Sequence, residues 1–320
     1  MQKLYNFTDD GFIDVGSTMH PQPRHSFFKR YFEDRPRNHC NVHDFSEPLN
    51  VDDFDCIKAS TAEDLKVCVF PNDFVSDHIR RQGVFEPEIN AAIMEALDMY
   101  PKATFLDIGA NIGIHCLTAA KRGRKVVAVE PKPETVQHLH KSVNVNHFQD
   151  RFVLVQNAVS DVRTNLTLYH HLNNQGGSSI VWRRSGVGPT VETIFFDDLL
   201  EVFRDAEAVV KMDIEAAEPR ALAVSYKFFQ QVNVHVIFME WDLLKRLFYD
   251  NAGRADERRR AVGMTRHLRS LGFSPAMIPE SFNQCKYKYL DTVPMSQWPM
   301  DIVWVKNLNK SSCLHSKTLL

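Results

Sequence analysis

The chain has 320 residues, 44% of them apolar and 24% charged, with a formal net charge of −2. These values suit a globular protein with a sizeable core, and they exclude a disordered chain or one drawn by its overall field to nucleic acid or acidic membrane. No run is long and apolar enough to span a bilayer, and the opening MQKLYNFTDDGFIDV lacks the basic-then-apolar order of a leader peptide.

Residues 1 to about 60 are polar, and stretches such as MHPQPRH read as irregular extension. From about Leu65, apolar strand-like runs alternate with helical patterns. The spacing predicts strands at Thr104–Ile108, Lys125–Glu130 and Phe152–Asn157, separated by helices at Gly113–Arg122 and Pro133–Asn144. The second helix opens on a proline in its first turn. More peripheral strands follow at Asn165–Tyr169 and Val191–Phe196. A short helix at Asp197–Phe203 precedes a strand at Ala208–Asp213, and a helix at Ala217–Phe229 precedes a strand at Val234–Glu240. A helix at Ala255–Leu271 ends on Gly272. Strands at Phe273–Ile278 and Ile302–Lys306 close the series, joined by a polar stretch without a helical pattern.

Such alternation implies an α/β architecture with a mainly parallel sheet covered on both faces. The last two strands read as a hairpin-like pair, with one antiparallel strand at or near the edge. Open sheets of this kind bind ligands beyond the carboxyl ends of their strands. Asp107, Glu130, Asn157, Asp213 and Glu240 each end a predicted strand.

The turn after the first of these strands reads Asp107-Ile108-Gly109-Ala110-Asn111-Ile112-Gly113. The dinucleotide fingerprint G-x-G-x-x-G is not met, because Asn111 stands where its second glycine would fall. The Asp107 carboxylate opposes a pyrophosphate and suits a cation. S-Adenosylmethionine carries an ammonium and a sulfonium and no phosphate, so Gly109, Ala110, Asn111 and Gly113 read as its cradle. Glu130, 21 residues after Gly109, is placed to accept both ribose hydroxyls. Asn157 and Ala158 end the third strand, where the adenine belongs. An NAD-linked oxidoreductase on a similar fold is the rival reading.

In VVKMDIEAAE, Lys211 and Asp213 share one face of a strand, Glu215 follows in the turn and Glu218 opens the next helix. Asp213 or Glu215 can accept a proton from a hydroxyl, and Lys211 can hold a carboxylate in place. Glu218 also reads as a partner of the helix dipole. Asp213, Glu215, Glu240 and Asp242 have the ligand chemistry for Mg²⁺, although no metal is expected. Arg254, Arg258, Arg259, Arg260, Arg266 and Arg269 crowd one helix that reads as a solvated face. NNQGGSSIVW, residues 173–182, reads as a polar loop beside the acceptor.

Six cysteines, at 40, 56, 68, 116, 285 and 313, show no CxxC or metal-ligand spacing and are expected to be free thiols in a cytoplasmic protein. Three glycosylation sequons, at Asn6, Asn165 and Asn309, point the other way, to a secretory lumen.

Four blocks together resemble the FkbM family of S-adenosylmethionine-dependent methyltransferases: FLDIGANIGIHCLTAA, VVAVEPKPETVQHLHKSVNVN, NAVSDVRTNLTLY, and IFFDDLL followed by VVKMDIEAAEPRAL. The resemblance implies a class I methyltransferase (Rossmann-like) three-layer fold with a seven-stranded sheet, and O-methylation; the net charge of −2 points to a small-molecule or glycan acceptor without nucleic acid as partner. The resemblance runs from about Glu86 to Trp241, and the change of pattern along the chain places a methyltransferase domain over residues 61–308, between the N-terminal extension and a tail at 309–320. It also brings Glu86 of GVFEPEI toward the cofactor or acceptor. The family pattern K-x-D-x-E-G-x-E carries glycine where this chain has Ala216. That departure leaves a catalytically inactive cofactor-binding module as a further alternative.

Overall fold

The computed structural model describes residues 39–47, 55–59, 65–168, 189–249, 254–280 and 287–306. The 173–182 loop, Cys285, Cys313, Asn6 and Asn309 lie outside the described residues. An antiparallel pair, β1 (Cys56–Ala59) and β2 (Leu65–Cys68), sets Cys56 directly opposite Cys68. The two are joined in a disulfide. This corrects the expectation of free thiols, which holds for the buried Cys40 and Cys116. Helix α1 (Phe74–Gln82) starts because Asp73 accepts the Ser76 N–H at 2.9 Å, and it stops at the left-handed Gly83. Helix α2 (Pro87–Met99) leads into β3 (Thr104–Ile108).

Helix α3 (Ile114–Lys121), β4 (Val126–Val129), α4 (Pro133–Val145) and β5 (Phe152–Val155) follow as predicted, within a few residues at their ends. Short strands β6 (Ala158–Val159), β7 (Asn165–Thr167) and β8 (Thr190–Ile194) form a separate small sheet ordered β6-β8-β7. Beyond a 3-10 helix at Phe196–Glu201, β9 (Glu207–Met212) returns to the main sheet.

The predicted helix at 217–229 is broken into α5 (Glu218–Ala221), a 3-10 turn at Leu222–Val224 and α6 (Tyr226–Gln231). The break falls at Ser225, whose hydroxyl donates to the Leu222 carbonyl at 2.8 Å and competes with the helical ladder. Strand β10 (Asn233–Glu240), α7 (Asp242–Arg246), α8 (Ala255–Ser270), β11 (Phe273–Met277) and β12 (Asp301–Lys306) complete the fold.

The main sheet runs β11-β12-β10-β9-β3-β4-β5. Strands β10, β9, β3, β4 and β5 are parallel, and β12 lies antiparallel between β10 and β11. This is the seven-stranded class I methyltransferase order, with its reversed strand one place in from the edge. Strands β3, β4 and β5 are buried throughout, as strands covered on both faces require.

Part of the polar N-terminal region is ordered onto this domain. The Glu201 carboxylate accepts the N–H groups of His39 and Cys40. Residues 41–43 then run along β5, with His43 N donating to the Leu154 carbonyl and Gln156 N to the Asn41 carbonyl. Several arginines of α8 are paired with acids: Arg260 with Asp161, Arg259 with Asp256 and Arg269 with Asp291.

Trp241, Trp298 and Trp304 are fully buried where β12 inserts. Ring centroids lie 4.6 Å apart for Trp241–Trp298 and 5.8 Å apart for Trp298–Trp304. The Trp298 indole N–H donates to the Val293 carbonyl at 2.9 Å, which fixes the approach to β12. Trp298→Ala is expected to cost about 3–5 kcal/mol. Urea unfolding followed by circular dichroism checks it; a loss under about 1 kcal/mol means that the ring is not part of the core.

Candidate active site

The turn that follows β3 is shaped by two close approaches. Gly109 has φ +87, and a Cβ there would lie 1.8 Å from the Asp213 carbonyl oxygen. Gly113 has φ +88, and a Cβ there would meet Leu139 Cδ1 at 2.3 Å. Both positions therefore require glycine. Asn111, φ 52, takes the left-handed conformation that asparagine tolerates better than most residues.

The turn also satisfies its own donors. The N–H groups of Gly109 and Ala110 donate to the Val129 carbonyl at 2.9 and 3.1 Å. That of Asn111 donates to Glu130 Oε2 at 3.0 Å, and that of Ile112 to Asn111 Oδ1 at 2.8 Å. That of Gly113 donates to the Ala110 carbonyl at 3.0 Å. A phosphate-binding turn needs such groups for its anion, and here they are engaged. The residues present thus disfavour a dinucleotide and fit a ligand held by carboxylates.

Around this turn a cavity is lined by Glu86, Gly109, Ala110, Asn111, Gly113, Glu130, Asn157, Ala158, Lys211, Asp213 and Glu215. These are the expected site residues apart from Asp107. That carboxyl is wholly buried behind the turn, where Oδ2 accepts the Cys116 thiol at 2.9 Å. It stands in register with Lys211 on the neighbouring strand, so it acts on the site through that lysine. Asn157 lines the cavity, but its amide is committed elsewhere. Its Oδ1 accepts the Asn41 N–H at 2.7 Å and its Nδ2 donates to the Glu192 carbonyl at 3.3 Å.

Glu130 is anchored from both oxygens, since Oε1 also accepts the Lys132 N–H at 3.0 Å. Burial pushes its pKa up to about 7 against the pull of those backbone donors. Each oxygen retains a further lone pair for a hydroxyl donor.

Lys211 is buried and donates to Asp213 Oδ2 at 3.0 Å. Burial opposes its charge, but Asp213, Asp107 and Glu86 outweigh burial and hold the ammonium above the usual lysine range. Glu86, φ 49 at the start of α2, lies 3.2 Å from His115 Nε2. Burial raises the Glu86 carboxyl, yet His115 and Lys211 together bring it below the usual range. His115 Nδ1 in turn lies 3.2 Å from Asn90 Oδ1.

Glu240 is the residue whose part the sequence underrates. Met212 and Met239 are register partners in the parallel β9–β10 pair, so Asp213 and Glu240 leave adjacent strand ends together. Burial, then the charges of Asp213, Glu218 and Glu215, push the Glu240 carboxyl far above the usual range, and it hydrogen-bonds to Asp213. Burial and then Asp213 raise Glu215 to about 7. Glu218 is fully buried, with Oε1 accepting the Ile214 N–H at 3.0 Å, and burial lifts it to about 8. It pins the 214–217 turn and does not line the cavity. Asp242 pairs with Arg246 at 2.6 Å.

Sequence reading also missed Phe74, Phe85, His115 and Lys132, all of which line the cavity. Phe74 of α1 meets Phe85 edge to face, with ring centroids 6.2 Å apart. The GIHC run marked His115 as part of a helix, and its partner Glu86 is 29 residues away in sequence.

The sequence model of the methyltransferase FkbM domain matches residues 107–288. No curated protein matches the sequence. Among solved structures, the chain is similar to an O-methyltransferase from Bacillus cereus in complex with S-adenosylhomocysteine: 12% identity, 70% of this chain, 82% of that chain, TM-score 0.40. It is also similar to a putative caffeoyl-CoA O-methyltransferase from Staphylococcus aureus: 10% identity, 72% of this chain, 88% of that one, TM-score 0.41.

Glu215 and Ala216 are both left-handed, with φ 57 and 68. The turn therefore forms despite the missing glycine, at a cost of about 1–2 kcal/mol for alanine. Ala216→Gly removes that strain and adds a smaller unfolded-state entropy cost of about 0.5–1 kcal/mol. A net stabilisation of about 0.5–1 kcal/mol is expected in chemical denaturation. Destabilisation by the same change would show that the turn is unstrained.

Proposed function

We propose, since the chain belongs to the FkbM methyltransferase family, that it methylates a hydroxyl of a small molecule or glycan, with Asp213 as the proton acceptor. The chain is an S-adenosylmethionine-dependent methyltransferase. S-Adenosylmethionine supplies a methyl group already activated for in-line displacement at carbon. What the protein must add is alignment and a place for the hydroxyl proton.

One observation carries the assignment: Asp213 stands at the cavity between a buried lysine and a second carboxyl. Lys211 holds one Asp213 oxygen at 3.0 Å and so fixes the side chain. Protonated Glu240 donates to the same carboxyl group and takes up part of its charge. Asp213 would take the proton that the acceptor hydroxyl loses as its oxygen bonds to the methyl carbon and the bond from that carbon to sulfur breaks, the thioether leaving with the electron pair. Glu215, raised to about 7, is placed to carry that proton onward near neutral pH. Carboxylates are strong acceptors for paired hydroxyls, and Phe74, 54% exposed at the mouth, offers a face for a sugar ring or another flat apolar surface. A polyanionic acceptor would meet Glu86, Asp213 and Glu215 and be repelled.

The function is tested by transfer of labelled methyl from the donor to a pool of hydroxyl compounds and glycans. An ether product keeps its label in alkali, whereas a methyl ester releases it as methanol. Label found only in ester or on nitrogen overturns the hydroxyl reading. Asp213→Asn is expected to lower turnover roughly 100- to 10,000-fold while cofactor affinity changes only a few-fold. Equal loss of both would make Asp213 a cofactor ligand instead.

Glu130 gives a pH prediction. Its folded pKa, about 7, exceeds the usual 4.5, so the cofactor-free fold loses stability as pH rises between those values. Ribose hydroxyls favour the ionised carboxylate, so cofactor binding should release protons and tighten as pH rises through about 7. Calorimetry in buffers of different ionisation enthalpy measures this directly. Proton uptake on binding would contradict it.

A further inference from the structure

We propose that Asn165 carries an N-linked glycan and that the protein folds in an oxidising, oligosaccharide-transferring compartment. Two separate parts of the structure meet in this inference, and neither depends on the identity of the methyl acceptor.

The first is the β1–β2 hairpin. Cys56 and Cys68 are register partners in an antiparallel pair and are joined in a disulfide across a sequence separation of 12. A two-stranded hairpin is marginal by itself and gains from a covalent tie. Such ties persist where the surroundings are oxidising and are rare where thiol reductants act. The hairpin is no loose appendage. Leu65, Val67 and Cys68 are fully buried, and the Cys68 N–H donates to Ser142 Oγ of α4 at 2.9 Å.

The second is strand β7, whose three residues are the sequon Asn165-Leu166-Thr167. Side chains alternate along a strand. Leu166 points inward and is buried with Ala158, Leu168 and Val191. Asn165 and Thr167 therefore share the opposite face, where Asn165 is exposed and Thr167 half-buried. Their register partners Glu192 and Thr190 are exposed as well. Among the described residues, strand β7 is the outer strand of its sheet, and Asn165 is exposed on it. Ala158 and Leu168, on the inner face, line the cofactor cavity, so the glycan lies on the side away from it. The glycan would also shield a short unpaired edge.

The transfer balances. The Asn165 amide nitrogen bonds to the anomeric carbon of a lipid-pyrophosphate-linked oligosaccharide. The bond from that carbon to the pyrophosphate oxygen breaks, the lipid pyrophosphate leaves with the electron pair, and the amide proton passes to a base of the transferase.

The test uses the full chain isolated from the cells that make it, with free thiols alkylated before any reduction. Peptide N-glycosidase should speed its migration and convert Asn165 to Asp, and Cys56 and Cys68 should be recovered as one linked peptide pair. In cells, Thr167→Ala should lose the Asn165 glycan and Thr167→Ser should keep it, read on the total cellular pool so that a folding defect does not hide the result. Recovery of Asn165 as unmodified asparagine overturns the proposal, whether or not Asn6 or Asn309 is modified. Alkylation of Cys56 and Cys68 before reduction overturns the oxidising compartment.

Discussion

The site depends on a missing side chain. Strands β3 and β9 come so close at their ends that Gly109 can present only hydrogen to the Asp213 carbonyl, and the Asp213 N–H donates back to the Ile108 carbonyl at 3.0 Å. The glycine turn after β3 and Asp213 at the end of β9 are thereby one rigid unit. Any side chain at 109 would push them apart, and the small displacements that matter for displacement at carbon would follow. Lys211 and Asp107, in register on the same two strands, extend the unit inward. The lysine charge is held from both sides, and the carboxyl groups at the surface of the cavity are arranged around it.

Strain gathers in the same place. Glu86, Asn111 and Glu215 all line the cavity with positive φ, and Ala216 adjoins them. Such conformations persist where the surrounding structure fixes them, and they aim side chains that a regular element would direct elsewhere. Glu218 shows how the fixing is done. A buried carboxyl holds the Ile214 N–H and keeps the following turn in shape.

Much of this was readable in advance. The apolar strands, their order of helices and the reversed strand near one edge follow from pattern alone. The turn residues Gly109, Asn111 and Gly113 and the acids Glu130 and Asp213 line one cavity, as their places at strand ends suggest. Asp107 was misjudged because β3 is buried on both faces, so alternation does not say which face meets the ligand. Discrimination against pyrophosphate comes from saturated backbone donors, which have no signature in composition. Asn157 looked like a reader of adenine because its partners, Asn41 and the Glu192 carbonyl, are remote in sequence. Glu240 gained its role from strand register, and the Cys56–Cys68 pair from a hairpin that spacing did not reveal.

The brief pairing of residues 41–43 with β5 has its own consequence. Strand β5 ends the main sheet, and without that neighbour its outer row of donors and acceptors would face water. A shortened chain beginning at β2 would keep every residue that lines the cavity yet expose a bare strand ready to pair with another molecule. Residues 41–43 thus cover that edge, held in place by Asn157, by backbone bonds and by the neighbouring Phe45, which is buried edge to face against Phe152.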